Sequence, residues 1–361
     1  MSVNTLKSVF PLRIFIVDNS SSMKTRDGNR IVGDSINNDN KKVSMSPCTR
    51  WEELQDCIKY HINLAGLLHA PTKFKVRRKI PTSMVSRLLS IWHLVLTPFD
   101  FDLLKLLNPP SKGKPQEFSV SMSTDSKSTS TIIDIQAALS AMDIDPSGGT
   151  PLSRHVREVQ KEVSSMAPQL RQAGQKVAIV IATDGMPDGN KDDFVNCLRE
   201  LEGLPVWVVV RLCTDDDSIV SYYNDIDTQL ELSIEVIDDY LGEAKEVHQM
   251  NPWLNYTLAI HRLREFGYYH KVFDLLDENL LSKMEMKDIC TLLFDNSRGE
   301  NTIDEYASIP DPSLEWETFL DYLDGQVKKE KQQWVSNATI FALPYLHCSG
   351  CLTHVMLLVC T

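Results

Sequence analysis

Three stretches of the chain are apolar with little interruption: Ile14 to Val17, Val177 to Ala182, and Val-Trp-Val-Val-Val within Pro205 to Leu212. Such runs, rich in β-branched residues and without polar alternation, predict strands covered on both faces, as in a parallel sheet. Leu232 to Ile237 predicts one more. Between these runs the period changes. Trp51, Leu54, Ile58, Ile62 and Ala65 recur at helical spacing, with Leu67 and Leu68 near the end and Thr49 placed to cap the start. Ile132 to Met142 predicts a second helix, Leu152 to Val163 a crossover helix and Phe194 to Leu201 a short one, with another before Leu232. Strands alternating with helices predict an α/β fold, a doubly wound and mainly parallel central sheet flanked by helices.

Other stretches carry weaker patterns. Lys24 to Pro47 is polar and rich in Asn, Ser and Gly, which predicts an exposed loop. Short strands are expected at Thr72 to Val76 and at Glu117 to Met122, while Arg77 to Leu107 mixes basic, apolar and aromatic residues with no clear period. From Asn251 onward the spacing is helical, through Leu254, Leu258, Leu263 and Phe266, then Val272, Leu276 and Leu280, and again Trp316 to Leu323. The expected organisation is a domain over residues 10–249 with an atypical insertion at 75–104, a helical extension over 251–331, and an uncharged tail over 335–361.

The candidate chemistry lies where apolar runs end. Ile14 to Val17 breaks into Asp18, Asn19, Ser20, Ser21 and Ser22. Ligands of parallel α/β sheets bind beyond the carboxyl ends of the strands. Asp18, Ser20 and Ser22 alternate, so one carboxylate and two hydroxyls can share a side, a donor set suited to a hard cation such as magnesium or manganese. Asp and Ser are also ordinary turn and cap residues, so this loop by itself does not decide. Two further loops supply matching groups. Gly148 and Gly149 permit a tight turn before Thr150, a third hydroxyl at a helix start, and Val177 to Ala182 runs into Thr183, Asp184 and Gly185.

Taken together, Asp18-Asn19-Ser20-Ser21-Ser22, Thr150 after Gly148-Gly149, and Asp184-Gly185 resemble the metal-ion-dependent adhesion site of von Willebrand factor A domains, over roughly Phe10 to Gln249. The resemblance implies that Ser20, Ser22 and Thr150 are hydroxyl ligands of Mg2+ or Mn2+, and that Asp18 and Asp184 contribute directly or through water. It implies an open coordination position filled by an Asp or Glu of a protein partner, with Asn19, Ser21, Gly149 and Gly185 on the partner-facing surface. A non-catalytic interaction module, acting as a scaffold or subunit of an intracellular assembly, is the function expected on this ground. A hydrolase using the same cation is the alternative, with Asp145 or Asp188 as general base.

Composition narrows the setting. At 361 residues and 42% hydrophobic content the chain can build a sizeable core. Its 49 acidic against 37 basic residues give a formal charge of −12, and no basic stripe offsets it, which disfavours a nucleic-acid partner. Met1 to Pro11 lacks the apolar core and cleavage site of a signal peptide, and the spread of eight cysteines is no disulfide framework, so a cytoplasmic setting is expected. A glycan on the sequon Asn19-Ser20-Ser21 would block the proposed site, which agrees with that setting. Gly148-Gly149-Thr150 lacks the lysine of a phosphate-binding loop, and no nucleophile elbow accompanies His155. His347, Cys348, Cys351 and His354 are zinc-like ligand types without a second separated pair, and Pro344 and the histidines break any membrane-spanning run in the tail.

Residues 75–104 and 335–361 fit their surroundings poorly. Val76-Arg77 and Val335-Ser336 can each be encoded by GTAAG-type splice-donor codons, which motivates the hypothesis that both stretches are translated intron. Sequencing of the mature transcript should then lack both segments; finding both would sink the idea.

Overall fold

The computed structural model describes residues 12–33, 43–67, 101–108, 116–121, 129–214, 216–254, 256–268, 270–294 and 309–325. Its centre is a six-stranded sheet built on strand β1 (Leu12–Val17), every residue of which is buried. Strand β4 (Phe101–Leu106) and strand β6 (Val177–Thr183) flank β1, both parallel to it, with Val17 level with Leu106 on one side and Ala182 on the other. Strand β7 (Val206–Leu212) runs parallel to β6, strand β8 (Ile234–Ile237) lies beyond it, and β5 (Glu117–Ser121) closes the opposite edge antiparallel to β4.

The alternation along β1 explains why both sheet faces need cover. Leu12, Ile14 and Ile16 join Ile179, Ile181, Val208 and Val210 in one apolar cluster. Leu152, Val156, Val159 and Val163 of helix α3 (Leu152–Gln172) belong to the same cluster. Phe15 points the other way, its ring 5.6 Å from that of His61 on helix α1 (Arg50–Leu67). Trp51, Leu54 and Ile58 bury the same helix, each at 3% exposure or less. Burying one such aliphatic side chain contributes about 1.5–3 kcal/mol, so these two faces dominate the stability of the sheet. An ion pair between Arg211 of β7 and Glu53 of α1, both buried, adds a polar tie across the second face.

Local rules set the ends of the helices. Glu52 N–H and Thr49 N–H reach each other's side chains at 3.1 and 2.8 Å, a reciprocal capping box that starts α1. Helix α2 spans Thr129–Met142, and helices α4 (Lys191–Arg199) and α5 (Asp217–Gln229) open on Asn190 and Asp216, whose side chains accept from the first-turn amides.

Two expectations change. Lys24 to Pro47 holds strands β2 (Gly28–Gly33) and β3 (Val43–Cys48), paired as a separate two-stranded sheet, where an exposed loop was predicted. The physical reason is that a two-stranded ribbon is held by backbone hydrogen bonds and leaves little apolar signal among Asn, Ser and Gly. The patternless stretch Arg77 to Leu107 ends in β4, a neighbour of the central strand, and the last four residues of 75–104 lie in that strand. The strand expected at Thr72 to Val76, the cluster His347 to His354, the run Lys328 to Lys331 and the tail 335–361 lie outside the described residues. Among the described residues, no helix is long and apolar enough to cross a membrane.

Backbone contacts divide the described residues into two compact units, one holding 12–28 and 49–236, the other 29–48 and 237–325. In the second, α6 (Tyr240–Met250), α7 (Leu258–Glu265), the short α8 (Lys271–Asp274) and α9 (Lys283–Phe294) surround a buried polar centre. Arg264 pairs with Glu243 and donates to the Tyr256 hydroxyl at 3.2 Å. Asn251, fully buried, donates to the carbonyls of Leu276 and Asn279 at 2.8 and 2.7 Å and accepts from Leu281 N–H at 2.9 Å. Asn251→Leu would strand these three backbone groups, and urea denaturation is expected to show a loss of about 2–4 kcal/mol. A loss below about 1 kcal/mol would refute the staple role of Asn251.

Candidate functional site

The carboxyl ends of β1 and β6 lie side by side because Asp18 N–H continues the ladder to the Ala182 carbonyl at 2.8 Å. That register brings Asp18 and Thr183 together. Asp18 is fully buried, its Oδ1 accepting from Ser20 N–H at 2.8 Å and its Oδ2 from the Thr183 hydroxyl at 2.6 Å. Burial pushes the Asp18 carboxyl up to about 6, with the neighbouring Asp184 adding to the rise and these hydrogen bonds opposing it.

A chain of oxygens continues from there. Ser20 Oγ and Ser22 Oγ are 2.9 Å apart, and Ser22 Oγ donates to Asp184 Oδ1 at 2.9 Å. Asp184 is 1% exposed, and its Oδ2 accepts from Arg50 Nη1 at 3.0 Å. Arg50 also grips Asp27 with Nε at 2.8 Å and Nη2 at 2.6 Å, which lowers the Asp27 carboxyl below its usual range. Of the two buried acids at the site, Asp184 is the one that this guanidinium holds.

Thr150 arrives on a third loop that is tied to the other two. Ser147 N–H donates to the Asn19 carbonyl at 2.8 Å and Ser21 N–H to the Gly148 carbonyl at 3.1 Å. Asp188 accepts from Thr150 N–H at 2.7 Å, and Asp188 N–H returns to the Thr150 carbonyl at 2.9 Å. The Thr150 hydroxyl makes no hydrogen bond among the described residues. Both glycines before it are required by the space. A Cβ on Gly149 would stand 2.3 Å from Asp188 Oδ2, and Gly148 has φ +96° with Asn108 Oδ1 2.5 Å from where its Cβ would be.

Of the residues expected on the partner-facing surface, Ser21 and Gly149 are exposed and Gly185 is half-buried. Asn19 is buried, and its amide is engaged with the backbone of Asn108 in both directions, at 2.9 and 2.7 Å. The acids weighed as general bases are also engaged, Asp145 with Lys24 at 2.7 Å and Asp188 with Thr150 N–H.

Sequence reasoning missed Arg50, Asp27, Asn108 and the role of Thr183. Thr183 is adjacent to Asp184 at the end of a recognised strand, so its parity along that strand was a usable signal. Arg50 and Asn108 stand 134 and 41 residues from the groups that they hold, Asp184 and Gly149, with no local pattern to reveal them.

The residues present suit a divalent cation. Among the described residues, Asp18 is a buried carboxylate held by neutral donors, next to a second buried acid and three hydroxyls. A hard cation with oxygen ligands offsets the desolvation of those charges.

No protein-family model matches the sequence, and none of the curated proteins matches it. Solved structures to which the chain shows some similarity include the manganese-loaded TRAP protein of Plasmodium vivax, at 12% identity over 64% of this chain and 69% of that one, with a TM-score of 0.33. A von Willebrand factor type A structure from Catenulispora acidiphila is 11% identical over 64% of this chain and 39% of its own, TM-score 0.33. The SpRpn10 VWA domain is 11% identical over 64% of this chain and 88% of its own, TM-score 0.33. At this level of likeness the site rests on the residues of this chain: an α/β domain with acids and hydroxyls gathered at the carboxyl edge of its sheet.

Because the folded carboxyl of Asp18 titrates near 6 against an ordinary 3.8, the native state holds an extra proton between those values. Stability is then highest below pH 4 for this group and falls as pH rises through the window, by up to about 3 kcal/mol. The difference in urea stability between wild type and Asp18→Asn, measured in chelator, should move by that amount between pH 4 and 7 in favour of the variant. A difference that does not change with pH would refute the assignment.

Proposed function

We propose that this chain is a divalent-cation-dependent protein-binding module. The observation that carries this reading is the Ser22 hydroxyl, which stands 2.9 Å from both Ser20 Oγ and Asp184 Oδ1 and so joins loops from two parallel strands into one oxygen-lined site. Ser20, Ser22 and Thr150 hold Mg2+ or Mn2+ through hydroxyls, with Asp18 and Asp184 supplying charge. The cation, when bound, acts as an electrophile for an exogenous carboxylate. The residues of the chain do the rest: they orient the hydroxyls, keep the acids dry and offer Ser21, Gly149 and Gly185 to the partner beside Asn19.

The partner supplies an Asp or Glu and is a protein rather than nucleic acid, in keeping with the formal charge of −12. The module serves as a scaffold or subunit of a cytoplasmic assembly and carries out no reaction of its own. Neutral hydroxyls outnumber carboxylates among the proposed ligands, which leaves the bound cation short of negative charge and favours capture of an outside acid.

Titration of the full chain with MgCl2 or MnCl2 tests this directly. Wild type is expected to bind, while Ser20→Ala and Asp184→Ala weaken binding tenfold or more, roughly the scale of losing support around a metal. Captured partners should elute on chelation and be lost in Asp18→Ala. A partner set indifferent to both treatments would overturn the metal-bridged mechanism, and turnover of phosphoesters or peptides would favour a hydrolase.

A further inference from the structure

Arg50 holds one of the two acids of the proposed site from behind. Its Nη1 donates to Asp184 Oδ2 at 3.0 Å, while Ser22 donates to the opposite oxygen, Oδ1. The other edge of the guanidinium is locked onto both oxygens of Asp27, and the backbone N–H of Arg50 donates to the Thr25 carbonyl at 3.0 Å. The side chain is 13% exposed and that of Asp184 is fully buried. A planar guanidinium held at three nitrogens and at its own backbone is pre-organised, so the charge it places on Asp184 is a permanent feature of the folded chain.

This has a consequence for charge balance. Asp18 and Asp184 bring two carboxylates to the site, and Arg50, whose other edge is on the more exposed Asp27, is the cation set against Asp184. We propose that Arg50 sets the dependence of the cation site on a partner: by neutralising Asp184 from its far side, it leaves the resident donors too poor in charge to bind a divalent cation tightly until an outside carboxylate joins. The proposal rests on the cation-site reading and adds to it the residue that couples cation to partner. Like charges repel, so Arg50 opposes the bare cation. It attracts an incoming carboxylate, so the two ligands become mutually dependent.

The test uses the full chain, free Mn2+ followed by electron paramagnetic resonance, and acetate as the probe carboxylate. Wild type should bind Mn2+ more tightly in acetate than in chloride. Arg50→Gln should bind Mn2+ about tenfold more tightly than wild type in chloride, and should gain less from acetate. Arg50→Lys keeps the charge and Asp27→Asn keeps Arg50 itself, so neither should tighten binding. Thermal melting in chelator establishes that each variant is folded. If Arg50→Gln does not fold, tightening in Arg50→Lys or Asp27→Asn overturns the proposal, and unchanged binding in both, with acetate dependence kept, supports it. Unchanged or weaker Mn2+ binding by folded Arg50→Gln overturns the role of Arg50 while leaving the cation site standing. Absence of Mn2+ binding in wild type overturns the site and this proposal with it.

Discussion

The site depends on one constraint: a carboxylate placed in the dry end of a parallel sheet. Asp18 follows directly on a fully buried strand, and its backbone N–H is the last rung between β1 and β6. Its side chain therefore starts from the buried end of the sheet, where the carboxylate is fully enclosed. The local answer is a set of neutral donors, Ser20 N–H and the Thr183 hydroxyl, each committed to one oxygen. Those bonds lower the cost of burial without cancelling it, which is why the carboxyl titrates near 6. The same bonds aim the following residues, because a loop in which the amide two residues on donates to the opening Asp side chain is held as a tight turn.

From that turn the other loops are fixed in sequence. Asn19 and Ser21 carry backbone and side-chain bonds to Ser147, Gly148 and Asn108, so three separate connections form one frame. Ser22 links the frame to Asp184, and Arg50 holds Asp184 from the opposite side. Each bond is modest by itself, about 0.5–1.5 kcal/mol net, but the bonds share members, so displacing one loop disturbs the others. Such a frame is suited to binding that requires fixed oxygen positions and little reorganisation. The second unit follows a similar logic, with Asn251 satisfying three backbone groups around its short helices.

Much of this was legible in the residues. The strands of the sheet centre announced themselves through unbroken apolar runs, and helices α1 and α3 through their spacing, because burial on two faces or on one stripe leaves a periodic trace. Asp18, Ser20, Ser22, Thr150 and Asp184 stood out because each lies within a few residues of such an element. What escaped was of two kinds. The ribbon β2–β3 is held by backbone bonds that any residue can make, and β4 sits at the end of a stretch without period. Arg50 escaped because an arginine in the first turn of a helix has no local reason to face an acid 134 residues away.

The sequence by itself determined the class of fold and the kinds of atoms available at the strand ends, since both follow from local order along the chain. Only the tertiary structure decided how those atoms are spent. It committed both oxygens of Asp18 to Ser20 and Thr183, divided Asp184 between Ser22 and Arg50, and left the Thr150 hydroxyl without a partner among the described residues. The reason is that hydrogen bonding and charge balance are settled by distance in space, and the parallel register of β1 between β4 and β6 is what brings these distant residues within reach.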